Sequence, residues 1–387
     1  MKFLFASDSF KGTLSSARIA ELLTTAAKES FPDCTCTSIE TADGGEGTTD
    51  AVLSAVQGQR IPLVVCGPLW KKTDCFYGKL DEERAVMEMA AASGLPLLTE
   101  PERDPEKTTT YGTGEMILDA VQKGCRKFII GIGGSATTEG GIGMLSALGY
   151  DFMDENGDRL PPVFASLEKV VQIKNNRVPE VLKDCHFQIA CDVTNPLCGA
   201  QGCVYVFGAQ KGVKEEEKES MDRAMQSYAA CLEKFTGKKF SEIPGTGAAG
   251  GLGFAFLWGL PNVELKPGID IVLEAVGLAS ELQDADIVVT GEGCLDFQTA
   301  MGKVPVGVAK TAKNYNCKVI AFAGSVTEEA KNCNEKGIDA FFSILPGVCS
   351  LDEAMDTEIA QKNMRNAAEQ VFRLILACGK EKSFLHP

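Results

Sequence analysis

The stretch Lys127–Gly143, KFIIGIGGSATTEGGIG, restricts the fold more than any other part of the chain. Its apolar run Phe128-Ile129-Ile130 reads as a buried strand. The run stops at Gly131, Gly133 and Gly134, passes Ser135, Thr137, Thr138 and Glu139, and reaches Gly140 and Gly141. Met144, Leu145, Ala147 and Leu148 then read as one side of a helix. Glycines at such a corner allow close approach to a ligand and positive φ. The unpaired N–H groups of a helix start favour a phosphate or a carboxylate there. A tight turn alone explains the glycines but not the hydroxyl and acidic groups crowded beside them.

The same strand–corner–helix pattern recurs. Phe3–Ala6 reads as a strand, followed by the loop SDSFKGTLS and a helix with Ile19, Leu22, Leu23, Ala26 and Ala27 on one face, capped by Ser15 or Ser16. Asp8, Ser9 and Lys11 therefore stand where a parallel strand ends, the usual ligand end of an open α/β sheet. A short strand at Ser38–Thr41 should lead into Asp43-Gly44-Gly45-Glu46-Gly47. Two carboxylates among glycines suit Mg²⁺ or a proton, or simply complement a helix dipole. Cys34 and Cys36 are expected in a loop. Phe187–Ala190 runs into Asp192, Thr194 and Asn195. Thr246–Gly253, TGAAGGLG, opens a helix that needs small residues for close approach, to another helix or to a ligand. Asp286–Thr290 leads to the loop Gly291–Asp296 and then to Thr299, Gly302, Lys303 and a helix from Pro305. Lys318–Ala323 ends at Gly324-Ser325, Ala340–Leu345 is a further strand, and Glu358–Leu376 is an amphipathic helix. From Ile61 to Met89 the pattern changes to short antiparallel strands, with Gly58 marking an exit from the first domain and Asp286 a return. The hydroxyls of Thr108–Gly114 are expected to cap the helix that follows them.

A chain of 387 residues, 44% hydrophobic, has room for two packed domains. Its formal charge of -15 repels phosphate backbones and argues against nucleic acid as a partner. The 15 cysteines are scattered without a C-x-x-C pair and read as small buried residues of a reducing compartment. Only 2 histidines leave little for the common zinc sites. The start MKFLFASD is too short for a secretory apolar region and no run matches a membrane span, so a soluble, cytoplasmic protein is expected.

The chemistry narrows by exclusion. There is no G-x-x-x-x-G-K-[ST] loop, no protein-kinase H-R-D or D-F-G, and no G-x-S-x-G elbow. Gly131-x-Gly133-x-x-Ala136 fits a relaxed dinucleotide fingerprint with Asp151 or Asp154 downstream, but the acidic loop after it is wrong for a pyrophosphate. Residue chemistry thus points to an α/β enzyme of small anions, phosphoryl transfer ahead of hydride transfer. An NAD(P)-dependent oxidoreductase of a hydroxy acid and a non-catalytic nucleotide- or acid-binding module remain alternatives.

The stretches DSFKGTLS (8–15), ADGGEGT (42–48), GIGGSATTEGG (131–141), CDVTNPLCG (191–199), GAAGGLG (247–253), TGEGCLDFQTAMGK (290–303) and AFAG (321–324) together resemble the type-1 glycerate kinase family, in that family's order. The resemblance implies ATP- and Mg²⁺-dependent phosphorylation of D-glycerate, with 2-phosphoglycerate favoured over 3-phosphoglycerate. It implies a Rossmann-like α/β domain built from both chain ends, 1–60 plus 285–387, and an inserted α/β domain, 61–284, with the active site in the cleft between them. A homodimer is compatible with it. The chain departs from the family where Ser7 replaces Pro, Thr138-Glu139 replaces Asn-Asp, and Cys294 and Phe297 replace Arg and Gly.

These expectations assign roles. Asp192, as proton acceptor, Lys11 and Lys303 are the catalytic candidates. Asp8, Ser9, Gly44, Gly45, Gly133, Gly134, Ser135 and Asn195 are the substrate- and phosphate-binding candidates, and Asp43 and Asp296 the Mg²⁺ ligands.

Overall fold

A computed structural model describes residues 1–10, 12–41 and 47–381. Lys11, Asp43, Gly44 and Gly45, each given a role from sequence, lie outside the described residues. The chain folds as two compact units, Met1–Asp43 with Val272–Pro387, and Gly44–Ile271. It passes between them at 43/44 and 271/272, whereas the sequence pattern changes near Gly58 and Asp286. The helix Thr48–Val56 accounts for the first difference. Val52 and Leu53 are buried, and the Thr49 N–H donates to Glu88 at 2.7 Å, which ties this helix to the inserted unit.

The strands are β1 (Lys2–Phe5), β2 (Thr35–Ser38), β3 (Gln59–Cys66), β4 (Lys72–Lys79), β5 (Arg84–Glu88) and β6 (Lys127–Gly131). They continue with β7 (Asp151–Met153), β8 (Gln172–Lys174), β9 (His186–Ala190), β10 (Val263–Lys266), β11 (Ile287–Leu295), β12 (Lys318–Val326) and β13 (Ala340–Ser343).

The unit made from both chain ends has a five-stranded sheet, β13-β12-β11-β1-β2. All its pairs are parallel. Buried parallel strands need apolar faces on both sides, and Phe3, Leu4, Phe5, Val288, Val289 and Phe322 supply them. The helix Ser16–Ser30 buries Ile19, Leu22, Leu23, Ala26 and Ala27, the face expected from their spacing, and Ser15 caps it by accepting from the Arg18 N–H at 3.2 Å. Strand order reverses between β1 and β11, so the loop after β1 and the end of β11 flank a topological switch point.

Two sequence expectations change here. β2 covers Thr35–Ser38 rather than Ser38–Thr41, because it pairs in register with β1, Lys2 opposite Thr35 and Phe5 opposite Ser38. Cys36 is therefore in a strand, its sulfur 3.5 Å from that of Cys34. The glycine-containing stretch after Thr290 is not a loop. β11 and β12 stay paired to Leu295 and Val326. Gly291 permits this, since a Cβ there would lie 2.2 Å from the Phe322 carbonyl oxygen.

The inserted unit has a six-stranded sheet, β10-β9-β6-β5-β4-β3. The pairs from β5 through β10 are parallel, and β3 and β4 form the antiparallel edge foreseen for residues 61–89. Phe128 and Phe187 stack across β6 and β9 with centroids 4.9 Å apart. No helix among the described residues is long and apolar enough to cross a membrane.

Candidate functional site

Each unit has a pocket at the C-terminal ends of its parallel strands. In the unit of both chain ends the cavity measures about 790 Å³. Asp8, Ser9, Glu292 and Lys303 line its polar part, with Ile344, Leu345, Leu351 and Met355 on the apolar part. It lies at the switch point between β1 and β11, where the Asp8 N–H donates to the Gly291 carbonyl at 2.9 Å. Glu292 is 7% exposed and accepts a short hydrogen bond from the Thr299 hydroxyl. Burial pushes its carboxyl up to about 7, while Thr299 and the Lys303 ammonium at 3.8 Å pull the other way. Asp296 is the N-cap of the helix Phe297–Ala300, its Oδ1 accepting from the Gln298 and Thr299 N–H groups at 2.8 and 3.0 Å. Lys303 lies 3.9 Å from the same oxygen. The cap fixes Asp296, and with it the cation, at the pocket's edge.

In the inserted unit the pocket is smaller, about 270 Å³. Gly133, Gly134, Ser135, Asp192, Lys211 and Ala249 are among its walls. The backbone N–H groups of Gly133, Gly134 and Ser135 donate to no acceptor among the described residues. Asp192 Oδ1 accepts from the Gly268 N–H at 2.9 Å, at the start of the helix Gly268–Ala275, which fixes the carboxylate against β9. Lys211 is 1% exposed and donates to the Ser135 hydroxyl and the Thr137 carbonyl, each at 2.7 Å. Burial lowers its ammonium to about 8.

The helix that follows the glycine corner is Ile142–Ala147, and its N–H groups do not await a ligand. Glu139, fully buried, accepts from the Gly141 and Gly143 N–H groups at 2.6 and 3.2 Å. The anion at this helix start is the protein's own. The capping expected of the Thr108–Gly114 hydroxyls falls to Thr109, which accepts from the Tyr111 N–H at 3.3 Å at the start of the helix Tyr111–Gln122; the Thr110 hydroxyl instead accepts from the Met144 N–H at 2.8 Å and so caps the helix after the corner. The TGAAGGLG segment also answers to packing. Gly250 and Gly251 have φ of 67° and 91°, and the Gly140 N–H donates to the Gly250 carbonyl at 2.9 Å.

Of the residues singled out from sequence, Asp8, Ser9 and Lys303 share the larger pocket, with Asp296 at its edge. Gly133, Gly134, Ser135 and Asp192 share the smaller one. Asn195 braces the loop after β9, its amide donating to the Gln201 carbonyl at 2.8 Å, and is not a wall of that pocket. The sequence pattern singles out neither Glu292 nor Lys211 as a site residue. Glu292 had a signal, a carboxylate between two glycines at a strand end. Lys211 had none, because nothing local in GAQKG marks a buried lysine. Among the described residues no three His, Cys, Asp or Glu side chains converge as a metal cage.

The model of the glycerate kinase family matches residues 3–376. A glycerate kinase of Bacillus subtilis (strain 168) is 43% identical over 374 residues, 96% of this chain and 98% of that protein. A glycerate 2-kinase of Escherichia coli (strain K12) is 44% identical over 355 residues, 92% of this chain and 93% of that one. The crystal structure of a glycerate kinase 2 candidate from Salmonella typhimurium LT2 superposes with a TM-score of 0.89 at 41% identity, covering 98% of this chain and 99% of its own. A match of this extent, in sequence and in three dimensions, places the chain in the glycerate kinase family.

Proposed function

We propose that this glycerate kinase transfers the γ-phosphoryl group of ATP to the 2-hydroxyl of D-glycerate, with the acid bound in the pocket of the inserted unit and the nucleotide in that of the other. The observation that carries the reading is the company kept in the smaller pocket. N–H groups at Gly133, Gly134 and Ser135 that are unpaired among the described residues suit a carboxylate, and the acceptor Asp192 in the same pocket suits a hydroxyl. A small hydroxy acid needs both. Size supports the division of substrates. Small-molecule pockets run from about 300 to 1,000 Å³; the cavity of about 790 Å³ lies high in that range and the one of about 270 Å³ just below it, which matches the larger substrate to the larger cavity. The apolar side chains of the larger cavity give a base-like ring a surface to lie on.

Asp192 accepts the hydroxyl proton as the new O–P bond forms, and ADP leaves with the electron pair of the old one. The remaining work is positioning and neutralisation of charge on the phosphates. Lys303 does this in the larger pocket, and Lys11 is assigned to the same task on its sequence position. Mg²⁺ needs only one or two carboxylates beside nucleotide phosphates and water. Asp8, on the pocket wall, and Asp296, at its edge, fit that demand, and Asp43 joins them on sequence grounds. When bound, the ion supplies further charge neutralisation on the phosphates. The name of the Escherichia coli relative, glycerate 2-kinase, supports the 2-position.

The test is a coupled assay for ADP, with the product identified by phosphorus NMR. ADP release that requires both D-glycerate and Mg²⁺ and yields 2-phosphoglycerate is expected. Release that ignores D-glycerate overturns the reading, and 3-phosphoglycerate overturns the regiochemistry.

A further inference from the structure

Lys211, a charged wall of the smaller pocket, has no part in the proposed transfer. It follows the helix Cys203–Phe207 on a short 3-10 turn, Ala209–Lys211, which Gly212 ends at φ 100°. A buried ammonium is strongly disfavoured unless an anion or strong acceptors replace its water. Lys211 has acceptors, the Ser135 hydroxyl and the Thr137 carbonyl, but forms no ion pair among the described residues. An ammonium has three protons to donate, and the two hydrogen bonds leave one over. Ser135 is in the complementary position. Its oxygen is taken up by Lys211, so its own proton is free to donate, and Ser135 and Lys211 are walls of the same cavity.

We propose that Lys211 is a positioning residue for the substrate carboxylate: it holds Ser135 Oγ as an acceptor, so that the Ser135 hydroxyl proton and the adjacent N–H groups of Gly133 and Gly134 meet the carboxylate of a small hydroxy acid. The ammonium places its positive charge directly behind that hydroxyl, so the anion finds both a hydrogen bond and a charge in a pocket whose protein is otherwise strongly acidic. This rests on the placement of the acid in the inserted unit. The recognised class is a short 2-hydroxycarboxylate, whose carboxylate supplies the ion-pair partner that Lys211 lacks among the described residues; the buried Glu139 acts on Lys211 only through its charge, without a direct contact.

The experiment uses the full chain and isothermal titration with D-glycerate and, separately, with Mg-ATP, followed by steady-state kinetics. Lys211→Met keeps the length and burial of the side chain and removes its charge. It should weaken D-glycerate binding and raise KM for D-glycerate by tenfold or more, with the affinity for Mg-ATP within twofold of the parent. Ser135→Ala, a smaller change that keeps the lysine and its bond to the Thr137 carbonyl but removes one of its two acceptors, should move the same constants in the same direction. The double variant should be no worse than twofold beyond the poorer single one, because both act on one interaction. D-glycerate affinity within twofold of the parent in either folded single variant overturns the proposal, as does a loss confined to Mg-ATP. If Lys211→Met does not fold, Ser135→Ala decides alone. If the parent protein itself fails to bind D-glycerate, the placement of the acid falls and the proposal falls with it; if the parent binds and the variants bind equally, only the role of Lys211 is lost.

Discussion

The Glu139 carboxylate accepts two hydrogen bonds from Thr110, from its backbone N–H at 2.7 Å and from its hydroxyl at 2.5 Å. With the N–H groups of Gly141 and Gly143 it closes a fully buried ring of donors around one side chain. Burial raises its pKa and the donors lower it, burial being the larger effect. Glu139 thereby joins the helix Tyr111–Gln122 to the end of the glycine corner. Glu139→Gln turns one acceptor into a donor aimed at donors. A buried polar group left unmatched costs about 1–3 kcal/mol, so the urea midpoint should fall accordingly with an unchanged slope. A midpoint equal to the parent's would mean that the ring of donors contributes nothing to stability.

Gly250 and Gly157 separate two reasons for a glycine. Both have positive φ, 67° and 79°. A Cβ on Gly157 would meet no atom within 4 Å, whereas one on Gly250 would lie 2.1 Å from the Thr137 carbonyl oxygen. Gly157→Ala should cost only the left-handed backbone term, roughly 1 kcal/mol. Gly250→Ala must in addition push away the segment that carries Thr137, and should cost roughly 3 kcal/mol or more. Urea denaturation of the two variants side by side checks this, and equal losses would show that the packing of Gly250 on the corner is unimportant.

Local periodicity carried much of the fold. The face of Ser16–Ser30 was legible because its partners are determined by 3.6-residue spacing alone, and the antiparallel edge after Ile61 because alternation and turns are local signals. What failed was set by distant partners. The length of β11 depends on β12, some thirty positions further on, and the place of β2 depends on β1. At the glycine corner the sequence displays a helix start ready for an anion, and Glu139 inside the same motif is that anion. Lys211 was illegible for the same cause: its acceptors, Ser135 and Thr137, come from a segment more than seventy positions away.

Glu292 should make stability depend on pH. Its carboxyl is raised from 4.5 to about 7 in the folded protein, chiefly by burial. The folded state therefore holds a proton that the unfolded chain releases earlier. The favourable contribution is present in full below pH 4.5 and is lost as pH rises through about 7. A shift of this size is worth on the order of 3 kcal/mol at most. Without nucleotide or metal, the parent should lose stability between pH 5 and pH 7.5 relative to Glu292→Gln, which cannot release a proton. Urea midpoints of the two proteins measured in the same buffers give the difference. Parallel profiles would place the Glu292 pKa near its ordinary value.

Asp192→Asn isolates proton acceptance from placement. The asparagine oxygen can still accept from the Gly268 N–H, which Asp192 engages at 2.9 Å, so the end of β9 and the start of the helix Gly268–Ala275 keep their link. What the amide cannot do is take a proton. General-base assistance of this kind contributes about 10²–10⁴-fold. The turnover number should fall by at least the lower of these, while KM for ATP, whose proposed pocket is in the other unit, stays within about twofold. Raising the pH should not restore the variant, because its amide has no ionisation to recover. Turnover within tenfold of the parent would remove Asp192 from the chemistry and leave it the structural task of starting that helix.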